Sequence, residues 1–204
     1  CEATYVLHWI NAYEEGDWLI LDGFFQHDPM PAKREGTPKP QSLYRSIDLD
    51  RLQTRPHRWR FNLVTGETKE ESLSDRVMEF GMINPKIAGQ NYRYSYNMTG
   101  KPGWFLFDGV VKQDVLTGTE ERYFFGEGVF ASETPFAPRP NAAAEDDGYL
   151  ITITTDMNRD CSECLIFDAA RLTDGPIARV RLPERVSSGT HSCWTSSESI
   201  ATRQ

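Results

Sequence analysis

Apolar runs and alternating apolar and polar positions dominate the chain and predict β-strands rather than helices. The segment Trp18–Phe25 is apolar, rich in aromatic residues and ends near a turn, whereas Tyr149–Thr155 alternates and is rich in β-branched residues. Both patterns are typical of strands, and no convincing helical periodicity is present. Proline-containing stretches at Pro29–Pro40 and Phe136–Asp147 indicate long loops. The sequence therefore predicts an all-β fold.

A strand, a tight turn and a returning strand recur along the chain. Two similar copies span Arg60–Thr68 and Lys112–Glu120, and a looser copy spans Phe167–Pro176. Their turn glycines recur roughly every 50 residues, a period typical of β-propeller blades of about four strands each. Because Thr-Gly turns are also common in ordinary hairpins, the repeat alone leaves both interpretations open.

Composition limits the domain count and the classes of partner. The 204 residues, 39% hydrophobic and 12% aromatic, suffice for one domain with a folded core, or for part of a larger domain. The net charge of −8 argues against a nucleic-acid partner, since such partners select basic surfaces. No apolar run reaches the roughly 18 residues needed to span a bilayer. A light contact with a membrane surface through a few apolar loops stays open.

The chain begins at Cys1 and runs directly into an apolar segment, without the pattern of a signal peptide. We therefore expect residues 1–204 to be the C-terminal part of a larger propeller domain.

Four cysteines are too few and too scattered to build a disulfide scaffold in a chain of this length. Cys161 and Cys164 form a C-x-x-C pair, with Cys193 farther along, but a convincing zinc site would need a second pair. Reduced thiols in or beside a hairpin turn are the simpler interpretation, and reduced thiols imply a cytoplasmic protein.

Two histidines lie in apolar settings at opposite ends of the chain. His8 follows Tyr5-Val6-Leu7 and precedes Trp9-Ile10, and His191 lies shortly before Trp194. A buried imidazole needs a partner, so each histidine is either a hydrogen-bonded core residue or a metal ligand. His27 and His57 lack apolar settings, and we expect them in solvent.

Five segments in order resemble the carotenoid cleavage oxygenase family, which includes the retinal pigment epithelial isomerohydrolase and bacterial apocarotenoid and lignostilbene dioxygenases. The segments that carry the resemblance are His8-Trp9-Ile10-Asn11-Ala12-Tyr13-Glu14-Glu15, Glu79-Phe80-Gly81-Met82-Ile83-Asn84, Glu133-Thr134-Pro135-Phe136-Ala137-Pro138-Arg139-Pro140, Glu145-Asp146-Asp147-Gly148 and Gly189-Thr190-His191. The resemblance covers essentially the whole chain, as the C-terminal part of the family's domain.

The resemblance implies a seven-bladed β-propeller with a non-haem Fe(II) ion on its axis, held by four histidines. His8 matches the third ligand and His191 the fourth. Glu79 matches a glutamate that holds the imidazole of His8, and Glu133 the one that holds that of His191. The other two histidines and the remaining glutamate belong to blades that this sequence does not contain. One departure is Thr134, which separates Glu133 from the proline that commonly follows it directly.

The implied reaction is oxidative cleavage of a conjugated carbon–carbon double bond by O₂, giving two carbonyl products. A carotenoid or apocarotenoid polyene is the first expected substrate, and a lignin-derived stilbene is the second. Two functions of other kinds are a non-catalytic propeller that binds a partner, and a hydrolase that uses Glu79 and Glu133 as paired carboxylates. We expect the triplet Glu145-Asp146-Asp147 to be a solvated turn before the strand at Tyr149.

Overall fold

The computed structural model describes residues 1–27, 53–101, 106–187 and 189–201. Within these ranges the chain is all-β, as predicted. The described ranges contain thirteen strands, two single turns of 3₁₀ helix, Pro85–Ile87 and Leu172–Asp174, and one short α-helix, α1 (Ser197–Ala201). The predicted loop Pro29–Pro40 lies outside the described residues.

The first four strands form one antiparallel sheet in which each strand pairs with the next along the chain. They are β1 (Trp9–Glu15), β2 (Trp18–Gln26), β3 (Thr54–Asn62) and β4 (Thr68–Ser72). We name this sheet the first meander. It contains the predicted strand Trp18–Phe25, which lies within β2.

Two further antiparallel meanders follow. The second consists of β5 (Met78–Met82), β6 (Tyr94–Gly100), β7 (Phe107–Asp114) and β8 (Glu120–Phe124). The third consists of β9 (Val129–Ala131), β10 (Phe136–Pro138), β11 (Gly148–Asp156), β12 (Cys161–Asp168) and β13 (Pro176–Arg181). Strands β9 and β10 both pair with β11, at opposite ends of it, so they act as one interrupted first strand.

The strands form because their side chains alternate between a buried and a less buried face. Along β11, Leu150, Thr152 and Thr154 are buried, and Ile153 between them is exposed. The third meander thus confirms the predicted strand Tyr149–Thr155, whereas the predicted loop Phe136–Asp147 opens with the short strand β10.

The two similar repeats fold into the same turn. Asn62 ends β3, and its side-chain oxygen accepts hydrogen bonds from the backbone N–H groups of Val64 and Thr65. Asp114 ends β7 and accepts the equivalent bonds from the N–H groups of Leu116 and Thr117. Each turn then passes through a glycine in the left-handed region, Gly66 or Gly118, where a residue without Cβ carries no steric penalty.

Two hydrophobic cores lie between successive meanders. The core between the first and second meanders contains Ile10, Ile20, Phe24, Met78 and Val111. The core shared by the second and third meanders contains Phe80, Tyr96, Met98, Val110, Phe136, Leu150, Leu165 and Phe167. The blade-like meanders fit the propeller prediction, while seven blades and a place at the C-terminal end of the domain remain predictions.

A buried ion pair within the first meander also binds a tyrosine from the segment before β6. The Arg58 guanidinium donates two hydrogen bonds to the Asp22 carboxylate, at 2.8 and 2.7 Å, and the Tyr92 hydroxyl donates a third at 2.6 Å. All three residues are buried. Burial raises the pKa of the Tyr92 hydroxyl, and the Asp22 charge raises it further. The network gives both oxygens of the buried Asp22 carboxylate hydrogen-bond partners.

We expect Arg58→Met to lower the free energy of unfolding by about 3–5 kcal/mol, because the Asp22 carboxylate would stay buried without its cation. Arg60→Met on the same strand is the control. Arg60 pairs with Glu71 on a more exposed face, where an ion pair contributes about 0–1 kcal/mol. Urea denaturation of the two variants measures the difference, and equal losses of stability would contradict the structural role of the buried pair.

Candidate metal centre

His8 directly precedes β1, in the first meander, and reaches across to the second meander. Its Nδ1 lies 2.8 Å from Oε2 of Glu79, and its side chain is 24% exposed. Asn11, three residues on, fixes this end of the chain. Its side-chain amide donates to the Gln90 carbonyl at 2.8 Å, and its oxygen accepts from the Gly89 N–H at 3.0 Å. The hydrogen bond to Glu79 therefore holds the His8 ring, and the bonds of Asn11 hold the strand that follows it.

Glu79 is the second residue of β5 and is 3% exposed. Its Oε2 accepts the bond from His8 and a second bond, at 2.8 Å, from the backbone N–H of Phe80. A buried carboxylate is costly unless it is paired and hydrogen-bonded. The imidazole and the backbone donor supply that compensation at one oxygen, which fixes the carboxylate against His8.

His191 lies in the segment after β13, and its partner Glu133 lies in the interruption between β9 and β10. The Nδ1 atom of His191 is 3.2 Å from Oε1 of Glu133. The other oxygen, Oε2, accepts from the backbone N–H of Ser192, and the Ser192 hydroxyl donates to the Glu133 carbonyl at 3.2 Å. Glu133 is buried, whereas the His191 side chain is 68% exposed.

The fold brings the two imidazoles together from opposite ends of the chain. The ring centroids of His8 and His191 are 5.2 Å apart, with 66° between the ring planes. One potential ligand atom from each of His8, Glu133 and His191 lies within 4.8 Å of the other two. Among the described residues, this is the cluster whose side chains could hold a metal ion.

Within this cluster the histidines are the better donors, and Glu133 orients one of them. Both oxygens of Glu133 already accept hydrogen bonds, one from His191 and one from the Ser192 N–H. A carboxylate on Nδ1 of a neutral imidazole selects the tautomer that carries its proton there. The lone pair of the other nitrogen, Nε2, is then free to bind a cation.

The hydrogen bond to Glu79 raises the pKa of the His8 imidazole above its ordinary value, although partial burial acts in the opposite direction. The charges of Glu79 and Glu133 add to the rise. The same carboxylates make the imidazole a stronger electron-pair donor toward a metal.

Of the other two histidines, one expectation holds and one is wrong. His27 is largely exposed, as expected. His57 is only 14% exposed, because it packs on Phe25 and Trp59 at ring-centroid distances of 4.9 and 4.6 Å, and its Nε2 lies 3.3 Å from the Glu70 carboxylate. Burial lowers the pKa of His57. It lies in β3, apart from the two clustered histidines.

The acidic triplet is also less solvated than expected. The Glu145 carboxylate accepts hydrogen bonds from the backbone N–H groups of Arg93 and Tyr94, and Asp146 binds the Lys112 ammonium group at 2.7 Å. All three residues of the triplet are partly buried. The segment therefore ties the second meander to the third.

The cysteines form no metal cluster among the described residues. All four are free thiols, and Cys161 begins β12 directly beside the hairpin turn that follows β11, as predicted, with Cys164 farther along the same strand. Three positions apart on a strand, their side chains point to opposite faces, so they are not arranged as a zinc pair.

Sequence reasoning missed Phe80, Asn11 and Ser192 as residues of the site. Phe80 is buried, and its ring contacts both His8 and His191. Nothing in the sequence separates it from an ordinary core phenylalanine. Asn11 lies in the H-x-x-N segment that carried the resemblance, so that motif was the available signal for it.

Comparison with known proteins decides the family. The family model described as Retinal pigment epithelial membrane protein matches residues 1–196. The chain belongs to this family. The predicted resemblance to carotenoid, apocarotenoid and lignostilbene oxygenases is thereby confirmed over most of the chain.

Three curated relatives illustrate the similarity. Isoeugenol monooxygenase of Pseudomonas putida is 30% identical over 95% of this chain and 42% of the relative. Apocarotenoid-15,15'-oxygenase of Synechocystis is 29% identical over 95% of this chain and 39% of the relative. Lignostilbene-alpha,beta-dioxygenase isozyme III of Sphingomonas paucimobilis is 27% identical over 98% and 42%. The family member described here thus spans less than half the length of these relatives.

Solved structures of the Synechocystis apocarotenoid oxygenase share the fold. A mutant of that enzyme superposes with a TM-score of 0.85 at 28% identity, over 97% of this chain and 40% of the enzyme. The cobalt-substituted enzyme gives a TM-score of 0.81 at 28% identity, over 94% of this chain and 40% of the enzyme.

We expect Glu133→Gln to weaken binding of Co²⁺ by about 10–100-fold, because a neutral amide favours the Nδ1–H tautomer of His191 less strongly than a carboxylate and does not raise the basicity of the imidazole in the same way. Glu79→Gln should have the same effect through His8. Glu14→Gln, at an exposed position of β1, is the control and should bind Co²⁺ like the parent. Calorimetric titration of the metal-free gene product measures the affinities. Unchanged affinity in both Glu79 and Glu133 variants would remove these acids from the site.

Proposed function

We propose that the protein is a non-haem Fe(II) dioxygenase that cleaves a conjugated carbon–carbon double bond with O₂ and yields two carbonyl products. The observation that carries this proposal is the convergence of two imidazoles, each hydrogen-bonded through Nδ1 to a buried carboxylate. Family membership supports it, since members of this family are named as oxygenases of carotenoids, apocarotenoids and lignostilbenes.

The donor set fits a ferrous ion. Neutral imidazole is a good ligand for Fe(II), and both Nε2 atoms are left free by the tautomer that the glutamates select. Because Glu79 and Glu133 are occupied by the histidines and by backbone N–H groups, they do not need to bind the ion directly. The ion would then keep its full positive charge. A related enzyme has been crystallised with cobalt, which supports a divalent transition metal.

The protein's own groups prepare the site for chemistry. When bound, the iron would supply the redox chemistry that allows O₂ to react with an alkene. Glu79 and Glu133 hold protons at Nδ1 of His8 and His191, so that neither imidazole is a proton source at its metal-facing nitrogen. Phe80, with Phe107 packed behind it at a ring-centroid distance of 5.0 Å, places an apolar surface against both imidazole rings.

We further propose that two more histidines complete the centre from sequence outside these 204 residues. The curated relatives are more than twice as long as the part that this chain matches. Four imidazoles would leave positions open for O₂. The seven-bladed propeller predicted from the family resemblance would place all four around one axis.

The proposed substrate is an apolar molecule with a conjugated double bond. A carotenoid or apocarotenoid remains the first candidate, supported by the Synechocystis relative. A stilbene is the second, supported by the Sphingomonas relative. The Pseudomonas enzyme, named for isoeugenol, adds a smaller aromatic alkene to the panel that should be tested.

The two other functions find less support. In a hydrolase with paired carboxylates, Glu79 and Glu133 would both face a substrate cleft, yet each is hydrogen-bonded to its own histidine. A non-catalytic binding module gives no reason to bury two carboxylates beside imidazoles, because such burial is costly without a partner.

Among the described residues no helix has the length and apolar character needed to cross a membrane. We propose a cytoplasmic protein that takes its apolar substrate from a membrane surface by peripheral contact.

We expect His191→Ala to lose bound iron and cleavage together, because the centre would lose one imidazole and the partner of Glu133. His27→Ala changes an exposed histidine that lies outside the cluster, and it should retain both properties. The full gene product is loaded with Fe(II), and its iron is measured by mass spectrometry. Products from an apocarotenoid, a stilbene and isoeugenol are identified by chromatography.

Incorporation of ¹⁸O₂ into both carbonyl products would support a dioxygenase. Wild-type protein that holds no iron would contradict the proposal, as would a His191→Ala variant that still cleaves at the parental rate.

A further inference from the structure

Two consecutive residues of β5 contact the same imidazole. Glu79 binds Nδ1 of His8 through its carboxylate, and the ring of Phe80 lies 4.5 Å from the His8 ring, measured between centroids. In a regular strand, successive side chains point to opposite faces of the sheet. A regular β5 could therefore present only one of these two residues to His8.

A β-bulge resolves this conflict. Glu79 pairs with Met98 and Met82 with Tyr96, so that two residues of β5, Phe80 and Gly81, lie opposite one residue of β6. Phe80 has a φ of +53°, a conformation that bulky residues rarely adopt. The backbone N–H of Phe80 donates to Oε2 of Glu79 at 2.8 Å. The strained backbone thus points Phe80 and Glu79 at one ring.

Gly81, the second residue of the bulge, allows close packing against the neighbouring strands. A Cβ atom there would come within 2.7 Å of both the Asn97 Oδ1 and the Ile10 Cγ1 atoms. Only glycine lets the bulged strand approach β1 so closely, and β1 directly follows His8. The sequence Glu79-Phe80-Gly81 therefore forms a bulge that places the Glu79 and Phe80 side chains against His8.

The Phe80 ring also contacts the second histidine. It meets the His191 ring nearly at right angles, 88°, at a centroid distance of 5.9 Å, and Phe107 supports it at 5.0 Å. A single hydrogen bond at Nδ1 fixes one atom of an imidazole but leaves the ring able to rotate about that bond. A packed aromatic ring restricts the plane of the imidazole, and with it the direction in which Nε2 points.

We propose that Phe80 is a positioning residue that fixes the ring planes of His8 and His191, so that their Nε2 atoms converge. The part of this inference that concerns a metal rests on the proposed function. The part that concerns the orientation of His8 stands on the metal-free geometry alone.

The first test needs no metal. Histidine side chains are labelled with ¹⁵N in the metal-free gene product, and the signals of His8 are assigned with His8→Ala. The wild type should give separate Nδ1 and Nε2 signals of one tautomer. Phe80→Leu should broaden or shift these signals, because the His8 ring is freed to rotate about its hydrogen bond to Glu79.

Phe167→Leu is the matched control, because Phe167 is buried in the same core and its described ring contacts are to Tyr123 and Phe125. It should leave the His8 signals unchanged. Phe80→Met is measured in place of Phe80→Leu if the leucine variant does not fold. His8 signals that stay as in the wild type in the folded Phe80 variant would overturn the inference.

The second test measures Co²⁺ affinity and the visible absorption of bound Co²⁺. Phe80→Leu should weaken binding about tenfold, the lower end of the effect of losing a group that orients a ligand, and should alter the spectrum. Phe167→Leu should change neither. Equal effects of the two substitutions would mean that Phe80 contributes only to packing of the hydrophobic core and does not orient the imidazoles. A wild-type protein that does not bind Co²⁺ would contradict the proposed function, whereas the NMR result would still decide the role of Phe80.

Discussion

The hydrogen bond between a buried carboxylate and an imidazole is the constraint on which this site depends. Glu79 and Glu133 are both buried, and a buried carboxylate is stable only when it is paired and hydrogen-bonded. Each takes its pairing from a histidine that lies far away in sequence. The packing of the first meander against the second pairs Glu79 with His8, and the segment after β13 returns to pair Glu133 with His191. The hydrogen bonds that place the imidazoles thus also connect distant parts of the fold.

The fold places its irregular backbone where these bonds form. The bulge in β5 directs Glu79 and Phe80 to His8, and the interruption between β9 and β10 holds Glu133. Thr134, which departs from the family pattern, is buried and donates a hydrogen bond to the Met98 sulfur. The departure is therefore accommodated inside the core without moving Glu133 away from His191. Residues of the candidate site thus lie at interruptions of the strands, and the regular strands on either side hold these residues in place.

Periodicity and turn chemistry are local properties, so the strands and the repeated Asn62 and Asp114 turns could be predicted from the sequence. The pairing of His8 with Glu79 and of His191 with Glu133 came from the family resemblance and not from spacing. The prediction for His57 was wrong because its burial comes from Phe25 and Trp59, on its own and the neighbouring strand. The acidic triplet was misjudged for a similar reason, since its partners Arg93 and Lys112 lie in the second meander.

The two histidines are covered to different degrees within the part of the protein that this chain spans. His8 is mostly covered, whereas His191 is largely exposed although its partner Glu133 is buried. Burial of the Glu133 carboxylate is costly on its own. In the proposed centre, a cation on the free nitrogen of His191 would offset this cost, because the carboxylate would stabilise the charge on the ligand and the metal together. The burial of Glu133 beside His191 thus supports the metal-binding role that we propose for this histidine.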